Sequence, residues 1–184
     1  MTSQQTSPPL DTGFRPAALF NREYVKAAKK SRKAVPLAIG LEREGGLLSR
    51  YETIVEPENT DTQLYAERVV KFLLWARGGW KIHFGGPKEI GEKIRRLYAL
   101  KGEHAFDAEL MSRAYERPFE VALMSADSVP EAKEMSTPLG GHLDGCRIGF
   151  DLGASDRKVS AVIDGEAVYT EEVVWDPRNA TNPQ

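Results

Sequence analysis

The chain has 184 residues, of which 41% are hydrophobic and 28% charged, and its net charge is −2. That balance suits one globular domain, or one and a part, and argues against a nucleic-acid partner, because such binders carry a basic excess on one face. No apolar run approaches the roughly 20 residues that a membrane helix needs, and the first residues lack the basic and apolar parts of a leader, so the chain reads as cytoplasmic with no membrane partner.

Residues 1–15, rich in Ser, Gln, Thr and Pro, read as a disordered arm, since they offer too little apolar surface to offset their ordering entropy. From Pro16 a short helix can be drawn, with Leu19, Phe20 and Tyr24 on one side. Its end runs into "KAAKKSRKA" at 26–34, either a solvated, positively charged helix end or a basic arm that touches phosphates.

"AVPLAIGLERE" and "LLSRYETIVEP" read as a hairpin joined by Gly45 and Gly46, which supply the positive φ of a tight turn. Asn59, Thr60 and Asp61 then offer capping oxygens ahead of a helix closed by Gly78, with Leu64, Val69, Phe72, Leu73 and Trp75 as its apolar face. "WKIHFGG" predicts a strand, and "PKEIGEKIRRLYALKG" a helix opened by proline. "FDAELMSRAYERP" predicts another helix and "FEVALMSA" another strand. Residues 16–126 are thus expected to form an N-terminal mixed α/β lobe. Residues 127–146, with prolines, glycines and charges but no period, read as a linker.

Three alternating apolar segments follow, "RIGFDLG", "KVSAVIDG" and "EAVYTEEVVW", and predict a three-stranded antiparallel meander within 147–184. The turn between the first two carries the groups best suited to chemistry. Gly153 and Ala154 are small enough for backbone N–H groups to approach an anion, and Ser155 offers a hydroxyl. Asp151 would meet nucleotide phosphates through Mg²⁺ or its waters, since a bare carboxylate repels them, and Lys158 supplies the opposite charge. A plain hairpin with a polar turn is the competing reading.

"IGFDLGASDRKVSAVIDGE", residues 148–166, resembles the first phosphate-binding hairpin of the superfamily of actin, heat-shock chaperones and sugar kinases. Within it, the stretch from Gly149 to Pro177 is similar to the opening of ROK-type proteins (repressors and sugar kinases), over about a fifth of the chain. Ala154 and Ser155 stand where that family has Gly-Thr. The resemblance implies the first meander of an actin-like (ribonuclease H-like) ATPase domain, with Asp151, Gly153, Ala154, Ser155 and Lys158 against the phosphates of ATP and Asp151 toward Mg²⁺. It further implies a sugar as phosphoryl acceptor and a chain inactive by itself, the rest of the site lying in a C-terminal portion, with the open meander packing on the N-terminal lobe, on another copy in a homo-oligomer, or on that portion. A non-enzymatic interaction module is the alternative, and an activator ATPase would carry bridging cysteines where this chain has Cys146 alone.

"KIHFGGPKEIGEKIRR" is a second candidate. A strand that ends in Gly85 and Gly86 and enters a helix presents N–H groups to an anion, in the manner of that superfamily's adenosine loop. A plain strand-to-helix turn is the competing reading. The histidines, His83, His104 and His142, are dispersed, and "GHLDGC" makes a weak metal pair.

Overall fold

The computed structural model of the chain describes residues 10–11, 13–135 and 141–181. They fall into two units, Met1–Met135 and Ser136–Gln184. The chain is mixed α/β, with a four-stranded mixed sheet in the first unit and a three-stranded antiparallel sheet in the second. Among the described residues no helix is long and apolar enough to cross a membrane.

In the first unit, β1 (Val35–Glu42) and β2 (Leu48–Val55) form the expected antiparallel hairpin. Its turn has Gly45 and Gly46 at φ 66° and 71°, conformations that side chains with a Cβ rarely adopt. β3 (Lys81–Gly85) runs antiparallel to β1, and β4 (Glu120–Met124) runs parallel to β3, giving the order β2-β1-β3-β4. A parallel pair needs a long crossover, which α3 (Lys88–Leu97) and α4 (Ala105–Ala114) supply. α1 (Ala17–Ala28) and α2 (Thr62–Arg77) complete the unit.

The core lies between the helices and one sheet face. Leu37, Ile39 and Leu41 of β1 alternate toward Tyr65, Val70 and Leu74 of α2, and Phe20 and Tyr24 of α1 join them. Each such side chain contributes roughly 1.5–3 kcal/mol when fully buried. Tyr24 stacks on Tyr65 with ring centroids 4.3 Å apart, and its hydroxyl lies 2.6 Å from Thr62 Oγ1.

The buried face of α2 differs from the one read off its sequence. Tyr65, Ala66, Val69, Val70 and Leu74 are buried, whereas Phe72 and Trp75 are 70% and 50% exposed. α2 is apolar around much of its circumference, so periodicity alone admits more than one face, and packing on the sheet selects among them. The helix entrance is also built differently. Asn59 Oδ1 accepts from the Asp61 N–H at 2.9 Å, and no side-chain cap comes from Asp61 itself.

Residues 127–135, read from the sequence as the start of a linker, are docked on the first unit. Val129 is 2% exposed and packs on Gly40 and Gly85, covering the second face of the sheet. Leu48 and Lys133 exchange two backbone hydrogen bonds at 2.9 Å, and Glu134 accepts from Ser49 and Arg43. One apolar side chain at the right height does this, and a single valine makes no period. The arm expected over residues 1–15 lies mostly outside the described residues; at its end Arg15 pairs with Asp61 at 2.7 Å.

The second unit is the expected meander: β5 (Cys146–Leu152), β6 (Asp156–Ile163) and β7 (Glu166–Val174), antiparallel in chain order. Asp164 and Gly165 turn β6 into β7 at φ 49° and 87°. A register shift after Ala161 leaves Val168 without a direct partner and twists the ladder there.

Candidate functional site

Strand alternation assembles the charged side of the meander. β5 places Asp151 directly opposite Lys158 of β6, and Lys158 faces Glu172 of β7. Asp156, two residues before Lys158, falls on the same face. Lys158 Nζ lies 3.4 Å from Asp156 Oδ1 and 3.7 Å from Glu172 Oε1. The carboxylates hold the Lys158 ammonium above its ordinary range, Asp156 first, then Glu172, with Asp151 adding to them. Three carboxylates therefore surround one ammonium, and their charge exceeds what it neutralises.

The turn between β5 and β6 is held from the far end of β7. Trp175 donates its indole N–H to the Gly153 carbonyl at 2.7 Å and its backbone N–H to the Ser155 carbonyl at 3.1 Å. Gly153 has no room for a side chain, because a Cβ there would lie 2.9 Å from the Asp156 carbonyl oxygen. Beside this turn opens a cleft of about 450 Å³, lined by Ala154, Ser155, Trp175, Arg178 and Asn179 among others. Asn179 is tied to Asp176, its side-chain N–H₂ donating to Oδ2 at 2.6 Å. Arg178 has no ion-pair partner among the described residues, so its guanidinium is available to an anion in the cleft.

The side chains present are of the types that a phosphate group accompanied by a metal requires. Arg178 and the Ser155 hydroxyl suit phosphate oxygens, whereas the carboxylate excess around Lys158 suits a cation. Among the described residues no three His, Cys, Asp or Glu side chains converge as a metal cage. A Mg²⁺ ion that keeps several waters and takes one carboxylate plus substrate phosphates needs no such cage, and Asp151 is the carboxylate that the hairpin offers for one.

The structure thus brings Asp151, Gly153, Ala154, Ser155 and Lys158 together around one hairpin. Gly85 and Gly86 belong to the first unit, and packing accounts for both. A Cβ on Gly85 would lie 2.8 Å from both the Ser125 carbonyl oxygen and Ala126 Cα, and would overlap Val129. One on Gly86 would lie 2.8 Å from Leu37 Cδ1, and the Gly86 N–H donates to the Met124 carbonyl at 3.2 Å. That amide is thereby committed to the protein.

Sequence reasoning missed Trp175 and Arg178. The signal was "VVWDPRN", where a tryptophan directly after a strand and before Asp-Pro marks a folded rather than a trailing segment. It also missed a polar network in the first unit. His104 Nε2 lies 3.0 Å from Glu67 Oε1, His104 Nδ1 lies 3.3 Å from Lys71 Nζ, and Lys71 Nζ lies 3.0 Å from Asp107 Oδ2. Tyr98 packs on His104, and burial pushes its hydroxyl far above the ordinary tyrosine range, Asp107 and Glu67 adding to the effect. The network ties α2 to the start of α4. Cys146 is exposed and free.

No family model matches the chain, and comparisons with curated proteins and with solved structures found no significant match either.

Proposed function

We propose that the hairpin 151–158 of the second unit binds the phosphates of ATP with Mg²⁺, as the first phosphate element of an actin-like, ROK-type ATPase or sugar kinase. The observation that carries the reading is the register of Asp151 opposite Lys158 beside a cleft lined by Ser155 and Arg178. Arg178 and Ser155 take phosphate oxygens, and Asp151 faces the hydrated metal. Lys158, ringed by carboxylates, is spent largely on neutralising them and orients Asp151 rather than holding the nucleotide. Mg²⁺ supplies charge neutralisation between the carboxylates and the phosphates. The function is binding in the first instance, because phosphoryl transfer also requires a positioned nucleophile.

The test is a thermal melt of the full chain with MgATP, with ATP plus a chelator, and with neither. A ligand that binds only the folded state raises the melting temperature. MgATP should raise it, metal-free ATP should raise it less, and Asp151→Asn should abolish the difference between the two. A cooperative melt that MgATP leaves unmoved overturns the reading.

A second reading, an interaction module with no nucleotide site, draws on a separate observation. Ile148, Phe150 and Leu152 alternate onto one face of β5 and are 67–72% exposed. Such an apolar face suits a protein contact. Under this reading Phe150→Ser changes the oligomeric state or partner binding, and Asp151→Asn changes no ligand response.

A further inference from the structure

α1 and the edge strand β2 flank an open groove of about 640 Å³ whose lining holds four cations, Asn21 and no carboxylate. Arg22 and Lys26 of α1 and Lys29 and Lys30 in the turn after it line one side, while Tyr51 of β2 and Tyr65 of α2 form its aromatic floor. The 1.5 Å rise per residue sets Arg22 and Lys26 about 6 Å apart along the helix axis. None of them has an ion-pair partner among the described residues, whereas the flanking Arg15 and Lys33 pair with Asp61 and Glu58. The single carboxylate of α1, Glu23, is not among the lining residues.

This pattern has a cost that a merely solvated helix end would not need to carry. Arg22 and Lys26, both within α1, are spaced i,i+4, and like charges at that spacing destabilise a helix. The helix dipole compensates only in the last turn, where Lys26 lies, and Arg22 is mid-helix. A cleft lined by one sign of charge concentrates ligands of the opposite sign.

We infer that this groove binds single-stranded nucleic acid, its phosphates against Arg22, Lys26, Lys29 and Lys30 and a base stacked on Tyr51. The aromatic floor decides between polyanions. Tyr51 is 39% exposed on the strand face that looks toward α1, and a basic groove with an accessible ring is the platform that unpaired bases use. An acidic peptide would use the cations but leave the ring without a partner, and a duplex would keep its bases stacked inside. The inference departs from the expectation drawn from the net charge of −2, because that sum hides the segregation of cations along one side of α1 and the turn after it.

The experiment is fluorescence anisotropy of the full chain with a labelled twelve-nucleotide oligothymidylate across a range of KCl concentrations. Four phosphate contacts at about 0.7 each predict a log–log salt slope of about −3. The double variant Lys26→Gln, Lys29→Gln should lower that slope by about 1.4 and weaken binding at least tenfold at low salt. Tyr51→Leu should weaken binding at least about fivefold with the salt slope unchanged. The control pair Lys93→Gln, Lys101→Gln, outside the groove, should bind as the parent does. Melting temperatures no lower than the parent's establish that these surface variants fold. Absence of saturable binding at low salt overturns the inference. So does Tyr51→Leu binding as the parent while polyglutamate displaces the oligonucleotide, which would make the groove a site for acidic peptide.

Discussion

Val129 fills the space directly over Gly85, so that a Cβ at Gly85 would overlap its side chain and come within 2.8 Å of the Ser125 carbonyl oxygen. One residue of β3 and one of the following segment are in this way fitted to each other. Gly85→Ala must displace backbone as well as Val129, and should destabilise the first unit by about 1–3 kcal/mol. Val129→Ala removes buried apolar surface and should cost roughly 1–3 kcal/mol. The double variant should recover only part of the Gly85→Ala loss, because the backbone contacts persist. Urea denaturation of the three variants measures the coupling.

The network around His104 makes a second prediction. His104→Phe keeps the contact with Tyr98 but removes both ring nitrogens, leaving Glu67 without its partner and Asp107 dependent on Lys71. Loss of hydrogen bonds to buried charged groups should cost about 1–3 kcal/mol. Glu67→Gln, which preserves a hydrogen-bonding partner for His104, should cost less. Equal stability of His104→Phe and the parent in urea would show that the network holds nothing in place.

Glu134 sets an acid-side dependence. The Ser49 hydroxyl and the Arg43 guanidinium, in that order, hold its carboxyl below the ordinary 4.5. A depressed carboxyl contributes stability that is present above its unfolded value and is lost as the pH falls through its folded value. The parent should therefore exceed Glu134→Gln in melting temperature near neutrality, and the gap should close as the pH drops below about 4.5. Glu134 is partly exposed and solvent screens the pair, so the gap corresponds to less than about 1 kcal/mol.

Arg178 and Trp175 separate binding from scaffolding at the meander. Arg178→Gln should weaken MgATP about tenfold or more, in keeping with loss of a hydrogen bond to a charged group, and leave the melting temperature without ligand unchanged. Trp175→Phe removes the donor to the Gly153 carbonyl and should destabilise the turn by about 0.5–1.5 kcal/mol. Hydrogen exchange at residues 153–156 reads the second effect. Titration calorimetry reads the first.

Local chemistry made most of the elements legible. Gly45-Gly46 and Asp164-Gly165 announced their turns because positive φ is open to few residues, and the alternation in 146–174 announced three strands. Face selection was less legible. Phe72 and Trp75 are as apolar as the residues that are buried, so their exposure follows from where the sheet lies and not from their chemistry.

The sequence by itself determined the order of helices and strands, the turn positions and the grouping of Asp151, Gly153, Ala154, Ser155 and Lys158, all of which depend on residues near one another along the chain. Tertiary structure alone decided that Val129 seals the sheet over Gly85, that Trp175 holds the 153–155 turn with Arg178 beside it, and that four cations of α1 and the turn after it meet Tyr51 of β2 in one groove. The reason is separation: these partners lie from about twenty to more than forty residues apart, where no periodicity connects them and only packing and hydrogen-bond geometry bring them together.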